Sequence, residues 1–562
     1  MKILNNDLQN ITLRKEQKEA QDFIFDTIKN DSNKKNILLN LPPGVGKSIL
    51  ALSICQRYLK DVNPNSKFDI ITNSKILQEQ YFTEFKSPAN LWGKNNYDCT
   101  QYSCSCESGK EFNKINKTKC DDCPYDNSKN SYLHDTINLT NFHLYIMFQL
   151  YQEELYSQRK SNVLIVDEAH NLEEIFSDFI SINLTEFMIK RMGLSKQSII
   201  LNSMKTINSI DSFVEFCEEV LVNEISDRMA SIKWEMKKST TGNTTQINRD
   251  LKIDKVFGEN TNSSVKLMNV LGDLENYLSK IENFIKDYAK SPENWIMETT
   301  INKNKQKEIN VQPVWAHPYL EKYIWSKYDY VIMMSGTILD KDVFSYLNGL
   351  SVHQTVYYSI NSPFDVKNRP IYYMPLGRMT YNKKEETFDK YIPFIGKLMN
   401  KYKNKKGIIH THTYELANWV KEKVIDERLI FHEMDSKNQA LKEHYESDSP
   451  TVLCSPSMST GVNLENDRAR FQILLKIPYP SLASKKNKMR QSTMPEWYTW
   501  RTIIGIIQAY GRGIRSYNDY ADFIILDGCF SDIMMHNSDK IPNWVMDAIK
   551  RVDVNKAIKN SK

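Results

Sequence analysis

Two short runs in this chain carry residues suited to handling a nucleotide. LPPGVGKS at 41–48 and VDEAHN at 166–171 lie about 120 residues apart, with six of the nine cysteines between them, five of those in one cluster. In the first run Pro43, Gly44, Val45 and Gly46 form a turn before Lys47 and Ser48. Glycines let backbone N–H groups wrap a phosphate closely, and the N-terminus of a following helix adds its own unpaired N–H groups. Lys47 has the reach for the β- and γ-phosphates of ATP, and Ser48 has the hydroxyl for Mg2+. A strict phosphate loop has Gly where this chain has Leu41. In the second run Asp167 suits Mg2+, and Glu168 suits the base that orients an attacking water. His170 is placed to couple that site to a second domain. QAYGRGIR at 508–515 supplies Gln508 and sets Arg512 and Arg515 almost one helical turn apart, as fingers on a transferring phosphoryl group require. MSGTI at 334–338 ends a strand with small hydroxyl-bearing residues suited to a hinge.

The clustered cysteines suggest a metal centre. Cys99, Cys104, Cys106, Cys120 and Cys123 occupy 25 residues, with 4, 1, 13 and 2 residues between successive members. Thiolate quartets bind zinc or iron–sulfur clusters, and local spacing does not decide between them. The N-terminus MKILNNDLQN lacks the apolar run of a signal peptide, and no stretch approaches the ~18 apolar residues of a membrane span. The expectation is a protein of the cytoplasm (a host cell's, if the source is viral) with no membrane partner. In that compartment clustered cysteines bind metal more often than they form disulfides. Cys55, Cys217, Cys454 and Cys529 sit in helix or strand patterns and read as core.

A chain of 562 residues needs several domains to hold these groups. Its 41% hydrophobic and 25% charged residues are those of a globular protein, and the net charge of +5 permits nucleic-acid binding without arguing for it. Short apolar runs at 37–39, 68–71, 163–166 and 330–334, then at 407–409, 451–454, 471–475 and 523–526, alternate with helical patterns. Such alternation predicts parallel sheets covered by helices, in two copies. Two stretches break it: a polar, cysteine-rich segment near 95–135 and long helical patterns across 175–312, interrupted by the polar run STTGNTTQ at 239–246. Both read as insertions into the first α/β domain. The basic run KKNKMR at 485–490 reads as a solvated loop whose position permits DNA contact. Tyr102 and Tyr125 beside the cysteines read as packing, or as a platform for bases. Asn141 and His143 read either as local hydrogen bonding or as strand contacts.

With these motifs in this order, the chain resembles the XPD/DinG (Rad3-like) helicases of superfamily 2. ITLRKEQ at 11–17, ITNSKILQEQ at 71–80, LWGKNNYDC at 91–99, CDDCPY at 120–125, LTNFH at 139–143, SPFD at 362–365 and SPSMSTGVNLEND at 455–467 extend the likeness along nearly the whole chain. One departure falls at Thr460, Gly461, Val462 and Asn463, where the family usually has a Glu-Gly-x-Asp run. The nuclease appended to large DinG forms is not expected here, with about 40 residues before the phosphate loop.

The resemblance implies an α/β fold of two RecA-like P-loop domains. The first runs through 1–94, 136–174 and 313–342, interrupted by an iron–sulfur domain at 95–135 and a helical arch at 175–312; the second spans 343–562. It implies Gln17 as an adenine reader, and ATP, Mg2+ (on Ser48 and Asp167) and a 4Fe–4S cluster as cofactors. Cys99, Cys120 and Cys123 are implied ligands; Cys106 is taken as the fourth, because the run after it looks like a turn into the loop, with Cys104 the alternative. The implied activity is ATP-driven 5′ to 3′ translocation on single-stranded DNA, with unwinding of forked or tailed duplexes, in DNA repair or replication, by a monomer. RNA serves the same phosphate and stacking contacts. Two other classes share the motifs: a translocase that strips bound proteins without separating strands, and a non-motor scaffold switched by nucleotide.

Overall fold

The computed structural model describes residues 12–85, 89–102, 104–116, 118–151, 159–194, 197–239, 263–457, 464, 466–514 and 517–553. The first sheet contains β1 (Asn36–Asn40), β2 (Phe68–Thr72), β3 (Ala89–Asn90), β4 (Ile137–Asn141) and β5 (Val163–Asp167). An outlying sheet contains β6 (Ile182–Leu184), β7 (Trp295–Ile301) and β8 (Lys307–Pro313), after which β9 (Tyr330–Ser335) and β10 (Thr355–Ser359) rejoin the first. The second large sheet is built from β11 (Ile371–Gly377), β12 (Gly407–His410), β13 (Leu429–Phe431), β14 (Val452–Ser455), β15 (Phe471–Leu474), β16 (Asp522–Asp527) and β17 (Ile549–Arg551).

The two large sheets have seven strands each, in orders β10-β1-β9-β5-β2-β4-β3 and β13-β14-β12-β15-β16-β11-β17. Every pairing in them is parallel. Parallel strands covered on both faces must be apolar on both faces, and the buried runs ILL, LIV and FIIL satisfy this. The period-2 alternation then sorts them: Ile37, Leu39, Val163 and Ile165 enter one core, while Leu38, Leu164 and Val166 enter the core on the opposite face.

Two expectations about the division of the chain need correction. The segment at 175–312 is more than helices: β6, β8 and β7 close a three-stranded antiparallel sheet at its base. Its helices include Val222–Ser239 and Ser263–Tyr288, and most of the polar run at 239–246 lies outside the described residues. The second correction concerns the domain boundary expected at 343. β10 pairs with β1 from Asn36↔Thr355 to Asn40↔Ser359, so the first domain continues through Ser359. No helix among the described residues is long and apolar enough to cross a membrane.

One buried ion pair fixes the middle of the first sheet. Arg159 donates from Nε to Asp69 Oδ1 at 2.9 Å, from Nη2 to the Phe68 carbonyl at 2.9 Å and from Nη1 to the Asp135 carbonyl at 2.6 Å. Tyr328 donates to the other Asp69 oxygen at 2.8 Å. This ties the start of β2 to the approaches of β4 and β9. Truncating Arg159 would strand a buried carboxylate, a change that costs about 3–5 kcal/mol. Arg159→Ala is therefore expected to melt well below the parent protein in thermal denaturation followed by circular dichroism; an unchanged midpoint would show the network to be dispensable.

Candidate active site

β1 ends at Asn40, and the chain turns through the phosphate loop into the helix Lys47–Asp61. Gly44 and Gly46 take φ of +80° and +87°, a region costly for residues with a Cβ. A Cβ on Gly46 would also stand 2.6 Å from Gln17 Nε2. Gln17 itself is buried against this loop: Nε2 donates to the carbonyls of Val45 at 2.9 Å and Gly46 at 3.1 Å, and Oε1 accepts from the Arg14 N–H at 2.8 Å. The residue expected to read adenine thus braces the phosphate loop in this structure.

β5 delivers the acidic pair. Asp167 is 2% exposed, and burial raises its pKa to about 6. Glu168 stands in the left-handed region at φ +54°, unusual for a side chain of its size and the kind of strain that gathers at functional sites. Lys47 Nζ lies 3.1 Å from Glu168 Oε1. Burial opposes the Glu168 charge, but Lys47, with Arg512 behind it, holds the pKa down at about 2.

Sequence reasoning missed Tyr81. Its ring is fully buried, and its hydroxyl donates to Asp167 Oδ2 at 3.0 Å while hydrogen-bonding the Ser48 side chain. One phenol therefore joins the two groups assigned to Mg2+. The signal was slight, one aromatic in the helical pattern of 75–85, and it depends on a contact across 86 residues.

His170 connects the sheets. Burial lowers its pKa to about 4, so the ring is neutral. Gln508 donates its amide N–H to Nε2, which leaves the ring hydrogen on Nδ1. Nδ1 then donates to Ser335 Oγ at 2.7 Å and lies 3.4 Å from Glu168 Oε2. Ser335 also accepts from the Thr337 N–H at 3.1 Å, and its carbonyl accepts from the Leu41 N–H at 2.7 Å. Asn40 Oδ1 accepts from the Ile338 N–H at 3.0 Å. The small residues at 334–338 thus join the phosphate loop to His170. At the same seam, a Cβ on Gly511 would meet Pro43 Cγ at 2.7 Å, so the end of the helix Pro495–Tyr510 rests on the phosphate loop. The Arg512 charge reaches Glu168, His170 and His410. Arg515 and residues 460–463 lie outside the described residues.

The five cysteines gather in the first insertion. Cys99 and Cys120 place their sulfurs 3.9 Å apart, and Cys104 hydrogen-bonds Cys99. Cys106 and Cys123, both buried, form a second pair, with the Cys106 thiol pushed up to about 11 by burial. A Cβ on Gly109 would collide with Cys99 Sγ and reach Cys104 Sγ at 3.8 Å. The donor types are those of a thiolate-bound centre, but no three His, Cys, Asp or Glu among the described residues stand in metal-holding geometry. Tyr125 packs this insertion: it is 3% exposed, with Lys110 4.6 Å from its ring centroid. Asn141 is used locally, donating to Gln78 and accepting from the Leu144 N–H, whereas His143 is exposed.

Residues 10–201 match the family model described as type III restriction enzyme, res subunit, and residues 396–548 match the helicase C-terminal domain. A probable ATP-dependent helicase of Methanocaldococcus jannaschii is 21% identical over 92% of this chain and 92% of its own length. The ATP-dependent DNA helicase CHL1 of Vanderwaltozyma polyspora is 23% identical over 76% of this chain, which spans 58% of that relative. A solved XPD helicase superposes with a TM-score of 0.61 at 15% identity, covering 96% of this chain and 100% of the other; at that identity the likeness is one of fold.

The Tyr81 bridge has a pH signature. If Asp167 ligates Mg2+ as the sequence suggests, it must be ionised to do so, and the acid limb of kcat/KM for ATP, which reports the free enzyme, should fall near pH 6. The Tyr81 hydrogen bond favours the carboxylate, so Tyr81→Phe should move that limb to higher pH. A limb that stays in place would detach Tyr81 from the metal site.

Proposed function

We propose that this chain, a member of the XPD/Rad3-like ATP-dependent helicases of superfamily 2, moves 5′ to 3′ along single-stranded DNA and separates tailed or forked duplexes. The observation that carries the reading is the seam: Lys47, Ser48, Asp167 and Glu168 on the first sheet face Gln508 and Arg512 from the second domain, through a neutral His170. A site divided between two domains turns over only when both halves are in place, so hydrolysis and domain movement are coupled by construction. DNA as the track rests on likeness to the DNA helicase CHL1, and the polarity on the resemblance of the motifs to the XPD/DinG family.

In this reading ATP lies against the phosphate loop, with Lys47 on its terminal phosphates. Ser48 and Asp167 hold Mg2+, which supplies neutralisation of phosphate charge. Drawing Lys47 toward phosphate frees Glu168 to orient the attacking water. Arg512, with Arg515, meets charge developing on the transferring phosphoryl group. Cys99, Cys120 and Cys123, with Cys106 or Cys104, are the residues that would hold a 4Fe–4S cluster in the first insertion. The bound cluster supplies a covalent tie that a segment so poor in apolar residues lacks.

Lys47→Ala is expected to abolish ATP hydrolysis while leaving single-stranded DNA affinity within about threefold, since track and nucleotide contacts are separate. Undiminished hydrolysis would remove this site from the mechanism. Cys120→Ser should bleach the brown chromophore of anaerobically purified protein and uncouple strand separation from ATPase; a colourless, zinc-loaded parent that still unwinds would contradict the iron–sulfur assignment.

A further inference from the structure

The basic run at 485–490 is not the solvated loop its composition suggests. It forms the helix Lys485–Thr493, in which Lys486 and Arg490 are 8% and 4% exposed. Arg490 clasps Glu173 with both ends of its guanidinium, Nη1 to Oε2 at 3.2 Å and Nη2 to Oε1 at 2.5 Å, and donates from Nε to the Val314 carbonyl at 2.6 Å. Its planar head lies 4.8 Å from the Trp315 ring centroid and 5.3 Å from that of Trp497. Lys486 donates to Ser177. Glu173 and Ser177 belong to the helix Leu172–Ile180, which directly follows the turn carrying His170.

The next helix, Pro495–Tyr510, belongs by sequence to the second domain but is divided between two cores. Trp497, Trp500 and Ile504 enter the core that covers the first sheet, while Ile503, Ile506, Ile507 and Tyr510 enter the core of the second. Trp500 also donates its indole N–H to the Ile338 carbonyl at 2.8 Å, at the end of the hinge run. The last turn of this helix presents Gln508 to His170 and leads to Arg512.

The geometry points to Arg490 and Trp500 as positioning residues for ATP hydrolysis: they fasten the helix that carries Gln508 and leads to Arg512 to the nucleotide-binding domain. The inference rests on the ATP-driven reading above. The ion pair is bidentate and enclosed, and a lysine cannot reproduce its fork. A salt bridge on a freely moving outer surface would have neither the burial nor the flanking tryptophans.

The test is Arg490→Lys, assayed for ATPase with saturating oligo-dT. kcat is expected to fall about tenfold or more with KM for ATP within about twofold, the pattern of weakened transition-state stabilisation at unchanged ground-state binding. Hydrogen exchange, read on the same variant without nucleotide, should quicken at 505–512 and at 169–171. Trp500→Phe, which removes the indole donor together with part of the ring, should shift both readouts in the same direction and covers the case of Arg490→Lys failing to fold. Parental kcat with unchanged exchange in a folded variant would overturn the inference, as would a raised KM with kcat unchanged. If the parent protein hydrolyses no ATP, it is the functional reading that fails; the exchange comparison still decides whether Arg490 fastens the helix.

Discussion

Burial keeps His170 neutral, and the rest of the site depends on that. A neutral imidazole donates from one nitrogen and accepts at the other, so one ring joins Ser335 on the first sheet to Gln508 from the second domain. A protonated ring would have two donors and no acceptor for the Gln508 N–H. The Ser335 carbonyl continues the connection to Leu41, at the mouth of the phosphate loop. The groups around ATP are thereby held in fixed relation to the element that brings Arg512.

Two α/β domains joined by a single chain would ordinarily meet at a thin interface and move freely. Here the helix Pro495–Tyr510 turns one face, with Trp497, Trp500 and Ile504, into one core and the adjoining face, with Ile503, Ile506, Ile507 and Tyr510, into the other. The same face of the first sheet also supports the arch and the cysteine insertion, which share that core through residues such as Tyr125, Cys123 and Trp295. A change at the nucleotide therefore has a packed route to the elements assigned to the DNA track. It runs through buried aromatic contacts, which shift between discrete arrangements more readily than they deform.

Much of this was legible in the residues. The eight apolar runs became strands β1, β2, β5, β9, β12, β14, β15 and β16, because a run buried on both faces has little other way to satisfy its backbone. The phosphate loop and the DEAH run fell at the ends of β1 and β5, as strand-to-loop chemistry requires. What the sequence hid was long-range. β10 (Thr355–Ser359) has the β-favouring residues Thr, Val and Tyr but no continuous apolar run; its place is set by pairing with β1. The sheet at the base of the arch is short and partly exposed, and its pattern is easily lost among long helices. Tyr81 and Arg490 have ordinary neighbours in the chain, and only the fold brings them to Asp167 and Glu173. A count of charges cannot separate a buried guanidinium from a solvated one.

The central claim is that ATP hydrolysis at this seam drives directional movement on a single strand. Strand displacement by anaerobically purified protein, with ATP, on duplexes carrying either a 5′ or a 3′ single-stranded tail tests it most directly. The account predicts displacement from the 5′-tailed duplex alone. Displacement from the 3′-tailed duplex would contradict the assigned polarity, and robust DNA-stimulated hydrolysis with neither duplex opened would contradict the helicase reading in favour of a translocase.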